Sequence, residues 1–139
     1  MTKDNQRKNV AAEVARGEES RRAAAVLLAA GLAADAVSRA YYGAFHYARA
    51  VLLSESEEPR THGGVDRLLQ RDFVRAGRFD ADVAKLFTRL QRYRQDADYT
   101  AEYVFTPTSA AEEVAAAETF IGEARRFLVT AKLLDPGEG

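Results

Sequence analysis

The segment Ala33–Leu53, AADAVSRAYYGAFHYARAVLL, constrains the fold of this chain more than any other. It contains no proline and one glycine, and at helical spacing it divides into two unlike faces. Val37, Ala40, Ala44, Ala48, Val51 and Leu52 fall on one stripe, with Tyr41 and Phe45 beside it. The small residues Ala40, Gly43, Ala44 and Ala48 let a second helix approach closely, so the stretch is expected to be a central, well-covered helix. A second stripe, stepping three to four residues at a time, carries Arg39, Tyr42, His46 and Arg49. Two cations, a phenol and an imidazole in line suit either a solvated edge or a row that faces a ligand or partner.

The remaining elements read as helices as well. Asn5 to Ala30 is rich in Ala, Arg and Glu, with Val10, Val14, Ala23, Val26, Leu27 and Ala30 as its expected buried positions. Gly17 interrupts it, which leaves one helix with a weak point or two consecutive helices. Gly31 suits a helix C-terminus, and the short link that follows forces the first two helices antiparallel. After the acidic loop SESEEP, Thr61 is a candidate N-cap for a third helix over about 63–76, with His62 at its start and Gly77 at its end. Arg67, Arg71 and Arg75 form a cationic row along it. A last helix running to about Leu133 carries Ala110, Val114, Ala117, Ile121, Ala124, Leu128 and Ala131 at alternating steps of four and three, with Ser109 and Glu112 as a capping box.

The fourth helix, Asp80 to about Asp98, has the apolar row Val83, Leu86, Phe87, Leu90 and Ala97. Extending that row puts Arg94 on the same face, four residues after Leu90. A guanidinium on a buried stripe is costly unless it is paired. Asp98, one turn further on, is the candidate partner, with Tyr99 next to it. Arg94 either fixes the helix end through that pair or points into a polar seam facing Arg39, Tyr42 and His46.

At 139 residues the chain is expected to form one domain, 1–139, with 134–139 as a flexible tail. The absence of cysteine excludes disulfides and thiolate metal sites, and two distant histidines argue against zinc, so neither metal nor cofactor is expected. No apolar run is long enough to span a bilayer, which leads to the expectation of a soluble, cytoplasmic protein. The net charge of −1 conceals an asymmetry: residues 60–94 carry +5 and residues 95–139 carry −6. A basic middle of this kind either forms a phosphate-facing surface or is neutralised by an acidic last helix packed beside it.

Four segments together resemble the HEPN domain family: Ser38–His46 (SRAYYGAFH), Thr61–Val65 (THGGV), Phe73–Gly77 (FVRAG) and Arg94–Tyr99 (RQDADY). The resemblance covers about Glu18 to Leu133 and is similar in order and spacing to small stand-alone prokaryotic members. It implies an all-α, antiparallel four-to-five-helix bundle that commonly dimerises. It also implies association with RNA or nucleotides, often in a toxin–antitoxin or defence pair with a minimal nucleotidyltransferase. Many members of that family cleave RNA without metal through an arginine followed four to six residues later by a histidine. The imidazole moves the hydroxyl or leaving-group proton and the arginine stabilises the phosphorane charge. Arg94 matches the motif arginine, but Tyr99 stands where the histidine is expected, preceded by Asp98. Arg39 and His46 do have an arginine–histidine spacing, but on the central helix, where it reads as coincidence.

The candidate catalytic residues are therefore Arg94, Asp98 and Tyr99, and the candidate binding residues Arg39, Tyr42, His46 and His62. Three functions fit. The favoured one is a weakly catalytic or non-catalytic homodimeric module acting with a nucleotidyltransferase or on RNA. The second is a metal-independent endoribonuclease toxin in which Tyr99, Asp98, His46 or His62 replaces the missing histidine. The third is a structural helical protein whose polar seam only sets packing register.

Overall fold

The computed structural model describes residues 2–55, 57–59 and 61–137. It contains α1 (Lys3–Ala29), α2 (Ala33–Leu53), α3 (His62–Leu69), α4 (Ala81–Tyr99) and α5 (Pro107–Thr130), and a π-helical turn, Gln70–Val74, continues α3. No strand occurs among the described residues. Arg60 of the basic stretch, Ser56 of the acidic loop, and Glu138 and Gly139 of the expected tail lie outside them.

The all-helical bundle expected from sequence is the observed architecture, and α2 is its centre. Val37, Ala40, Ala44, Ala48, Val51 and Leu52 are all buried, as the small-residue stripe requires. α1 runs antiparallel along α2: the Gln6 side chain at its start donates to the carbonyls of Leu53 and Ser54 at the far end of α2. The link between them turns at Gly31, whose φ of +79° is a conformation that favours glycine. Gly43 faces both the α1 backbone at Gly17 and Arg21 and the Ile121 side chain of α5, and on the other side of α2 the Tyr41 ring stacks on Phe87 of α4. Phe87 in turn stacks on Phe120 of α5, so one aromatic column ties three helices together.

α1 is one continuous helix, which decides the alternatives left open by Gly17. The glycine is required by packing, because a Cβ there would lie 2.8 Å from Cδ2 of Tyr47. Tyr47 cannot swing away, since its hydroxyl donates to Glu18 (2.6 Å) and accepts from Arg125 (2.8 Å). Gly17→Ala should therefore lower stability by about 1–3 kcal/mol through overpacking, although alanine is the better helix former. The check is the urea midpoint; a midpoint at or above wild type would show that α1 and α2 can separate cheaply.

Three details differ from the sequence reading. The second half of α1 buries Ala24, whereas Val26 is 68% exposed and Ala30 is exposed. The phase is set by Val10, Val14 and Gly17 meeting α2, and steps of three and four from them reach Ala24 rather than Val26. The regular α3 ends at Leu69, because the π-helical turn takes over before the Arg67–Arg71–Arg75 row is complete. There Arg71 pairs with Asp72 (2.7 Å) and reaches Glu57 (3.5 Å). At the start of α5 the capping box is Thr106 with Ser109, one residue either side of Pro107–Thr108, and not Ser109 with Glu112.

The start of the expected tail is held to the bundle. Leu133 and Leu134 are buried in the same core as Val10, and Arg7 bonds to the carbonyl of Lys132 and lies 3.4 Å from Asp135. Two adjacent leucines covering the end of α1 remove more apolar surface from water than a frayed end would.

A buried arginine, two tyrosines and a histidine form the candidate functional site

The candidate site forms where α4 crosses α2, and the register of α4 creates it. Asp80 caps the helix by accepting from the backbone N–H of Val83 (2.9 Å). Phe87 and Leu90 are fully buried against α2, and the next step along that face delivers Arg94 into the bundle. Arg94 is only 5% exposed. Its guanidinium carbon lies 5.2 Å from the centre of the Tyr41 ring, 5.9 Å from Tyr42 and 5.8 Å from Tyr99. Three ring faces attract the cation without neutralising it.

The expected partner is present but distant. Asp98 approaches Arg94 to 3.9 Å, the outer limit of an ion pair, and its side chain is 27% exposed. The buried Nε of Arg94 has no hydrogen-bond partner among the described residues. A desolvated guanidinium normally has a close carboxylate and filled donors. Here the cation is held by aromatic rings, with donor capacity left over.

α3 adds a histidine. The side chain of Thr61 accepts from the N–H of Gly64 (2.9 Å) and starts the helix. A Cβ on Gly64 would sit 2.8 Å from that same Thr61 oxygen, so glycine is needed for the cap to close. The cap sets His62 against α2, where its Nδ1 lies 2.7 Å from the Tyr41 hydroxyl and its ring centre 4.6 Å from that of Phe45. Burial, then the nearby positive charge of Arg94, and then His46 push the pKa of His62 below the usual histidine value. Burial pushes the Tyr41 phenol well above its usual value, outweighing the opposing pull of Arg94. Tyr41 is therefore a protonated phenol between an arginine cation and a neutral imidazole.

The polar row on α2 is split between two neighbours. Tyr42 faces the Arg94 centre, and Arg39, exposed at its margin, places its guanidinium carbon 4.6 Å over the Tyr42 ring. His46 does not join them. It turns to α1, where its Nδ1 lies 2.8 Å from Glu13, and Arg49 donates to the other oxygen of the same carboxylate (2.9 Å). His46, which the sequence reading placed with the site, and Arg49 of the same stripe thus lock α1 to α2, because α1 covers that side of the helix. Tyr99 stays with the centre but is 77% exposed, a ring open to solvent beside a buried cation.

Sequence reasoning missed Tyr41, which it treated as part of the apolar face. Its ring does belong to the core, while its hydroxyl is the link between α3 and the Arg94 centre. A tyrosine amid alanine and valine was the available signal, since a buried phenol needs a partner. Glu13 was missed for the opposite reason: it lies on α1, and nothing local marks the two side chains, His46 and Arg49, that bond to it. Burial works to raise its pKa, but the hydrogen bonds from His46 and Arg49 prevail and hold it below the usual carboxylate value.

A depressed carboxylate pKa stabilises the fold above the unfolded value of about 4.3, and the contribution is lost as pH falls through the folded value. Glu13→Gln should cost about 1–3 kcal/mol at neutral pH, and its stability should fall less than that of wild type as the solution is acidified from about pH 6 to pH 3. Parallel pH–stability curves for the two proteins would rule out this role for Glu13.

Among the described residues no group of three or more His, Asp or Glu side chains is placed to hold a metal ion, and no helix is long and apolar enough to cross a membrane. The chain is similar to known proteins across these same elements. Two proteins of Methanocaldococcus jannaschii, each named "Putative toxin", match it. One is 36% identical over 122 residues, which cover 88% of this chain and 85% of that protein. The other is 27% identical over 99 residues, 71% of this chain and 67% of its own length. A UPF0332 protein of Pyrococcus horikoshii is 42% identical over 71 residues, 51% and 50% of the two chains. The family model described as HEPN domain matches residues 12–133, from the middle of α1 to beyond the end of α5. Matched along nearly its whole bundle, with Arg94, Tyr41 and His62 all inside the matched span, the chain belongs to the HEPN domain family.

Proposed function

We propose that this chain is a toxin-like HEPN module that binds RNA or nucleotides at the Arg94 centre. In this reading it is a cytoplasmic homodimer and works in a toxin–antitoxin or defence pair with a minimal nucleotidyltransferase. The observation that carries the binding reading is the buried Arg94 guanidinium: among the described residues its nearest carboxylate is 3.9 Å away and its Nε has no hydrogen-bond partner. A cation desolvated this far and left this open is completed by an anion. The surroundings favour the phosphate of a nucleotide. Tyr99 offers an exposed ring and Tyr42 a half-buried one, and aromatic faces stack on any base. On the opposite face of α4 an open recess of about 530 Å³ is lined by Lys85, Arg92 and the Glu113-paired Arg89, together with Asp66, Gln70 and Thr88. The names of the two archaeal relatives support the toxin-like assignment. Exposed apolar side chains gathered where the α1–α2 turn meets residues 103–105 (Leu32, Tyr103 and Val104) support a second protein surface, either another copy or the partner.

The test is fluorescence anisotropy with a short single-stranded RNA at low salt in EDTA. Binding is expected, and it should weaken steeply with added salt, because several arginines release counterions from the phosphates. Tyr99→Ala, at an exposed position, should weaken binding about tenfold through the loss of one stacked base. No binding at low salt would overturn the reading in favour of a purely structural bundle. Cleavage of the RNA in EDTA would move it to the endoribonuclease reading, which the approach of His62 to Arg94 favours over one built on Tyr99. Light scattering after size exclusion tests the homodimer separately.

A further inference from the structure

We propose that His62, Tyr41 and Arg94 form a proton-coupled receptor for a terminal phosphate group, with His62 neutral in the empty site and protonated when a phosphate monoester docks beside Arg94. This inference deepens the reading of Arg94 as an anion site and rests on it.

The geometry supplies three linked elements. Arg94 is a fixed positive charge, nearly buried and without a filled shell of acceptors. The Tyr41 ring lies under its guanidinium, and the Tyr41 hydroxyl is 2.7 Å from Nδ1 of His62. His62 itself is half-buried, so it is reachable from outside. A neutral His62 with Tyr41 donating to Nδ1 carries its proton on Nε2, the only ring nitrogen left for a ligand.

The groups around His62 explain why it waits for a ligand. From α4 it faces Arg94, a cation that disfavours a second positive charge. From α2 it meets Tyr41, Tyr42, Phe45 and the more distant His46. Arg49 of α2 bonds to the carbonyl of Pro59 in the segment leading to α3, so a further cation stands on that side. The carboxylate on the α1 side, Glu13, is taken by His46 and Arg49. Asp66, on α3 itself, accepts from Thr88 of α4. The Asp66 charge also acts on Tyr41, and Asp98 of α4 lies 3.9 Å from Arg94. None of these carboxylates bonds to His62, so the negative charge that would hold a proton on it must come with the ligand.

That requirement selects the ligand. An internal phosphodiester brings one negative charge, which Arg94 already matches. A terminal phosphate brings close to two at neutral pH, since its second pKa is about 6. The second charge is matched when His62 takes up a proton. A chain end also reaches a recessed guanidinium more readily than an internal linkage that must leave on both sides.

Calorimetry with two RNAs of one sequence, bearing a 5′-phosphate or a 5′-hydroxyl, tests this at about pH 7.5 in two buffers of different ionisation enthalpy. Free 5′-AMP is the mononucleotide arm. The phosphorylated RNA should bind at least about tenfold more tightly than its hydroxyl counterpart and take up close to one proton, as linkage requires. His62→Gln should lose both the preference for the phosphorylated RNA and the proton uptake. In the wild-type protein, the imidazole resonance of His62 should titrate at higher pH when AMP is present, a readout that needs no variant. Tight AMP binding shows that the phosphate alone suffices; binding restricted to the RNA shows that the chain end is read together with its bases. Equal affinity for the two RNAs, or an unaltered proton uptake in His62→Gln, would overturn the proton-coupled receptor and leave Arg94 as a simple anion site. Failure of every ligand to bind would overturn both.

Discussion

Replacing Phe87 by alanine should destabilise the protein by about 3–5 kcal/mol, the range for removing a fully buried phenylalanine. Phe87 is wholly inaccessible and lies between the Tyr41 ring of α2 (5.7 Å) and the Phe120 ring of α5 (5.1 Å). Three helices meet on its two faces, so none can close the void without losing its other contacts. Phe87 also supports Tyr41 from below. A variant that still folds should therefore show a disordered Tyr41 and a His62 resonance that titrates closer to the free value. Thermal or urea unfolding reads the first effect and NMR the second. A loss below about 1 kcal/mol would mean that the aromatic column is not the keystone of the bundle.

The opposite result is expected at Arg94. Exchanging it for methionine should leave stability unchanged or raise it by about 1–2 kcal/mol, while RNA or nucleotide affinity falls at least tenfold. Methionine keeps an unbranched apolar body among Tyr41, Tyr42 and Tyr99 and removes a desolvated cation whose carboxylate is 3.9 Å away. Asp98 is left without its partner, but it is exposed enough for water to solvate it. A tightly paired arginine would behave differently, since breaking a buried pair costs about 3–5 kcal/mol. A melting temperature that collapses in Arg94→Met would show that the guanidinium is there for the fold. An unchanged melting temperature with unchanged affinity would show that it is there for neither.

The electrostatic asymmetry of the sequence is resolved by both of its possible outcomes at once. Arg89 of α4 is neutralised by Glu113 of α5 (3.0 Å), and Glu113 is one of the few buried charged side chains. Arg78 reaches back to Glu55, at the end of α2. Arg92, by contrast, is exposed on the same helix, with its guanidinium carbon 5.8 Å over the Tyr93 ring, and Lys85 is exposed beside the recess. Part of the basic middle therefore holds the helices together and part faces outward.

The burial of Arg94 was legible in the sequence because helical periodicity is a property of one element. Once Phe87 and Leu90 are on the inner face of α4, Arg94 is too. The covered face of α2 followed from its alanines and glycine in the same way. The grouping of the polar row was not legible, because spacing shows that Tyr42 and His46 share a side of α2 but not which helix lies against each. A step along α2 was enough to assign Tyr42 to α4 and His46 to α1.

What the amino-acid order determined by itself was the set of helices, their buried faces and the segments that mark the family. These follow from interactions within a turn or two of chain, where residue type and spacing decide the outcome. Only the tertiary structure decided that His62, 32 positions before Arg94, shares its centre through Tyr41, that Glu13 claims His46, and that Val26 faces solvent. Those outcomes depend on the rotation of one helix against another, which is set by the summed packing of both surfaces and has no local signature.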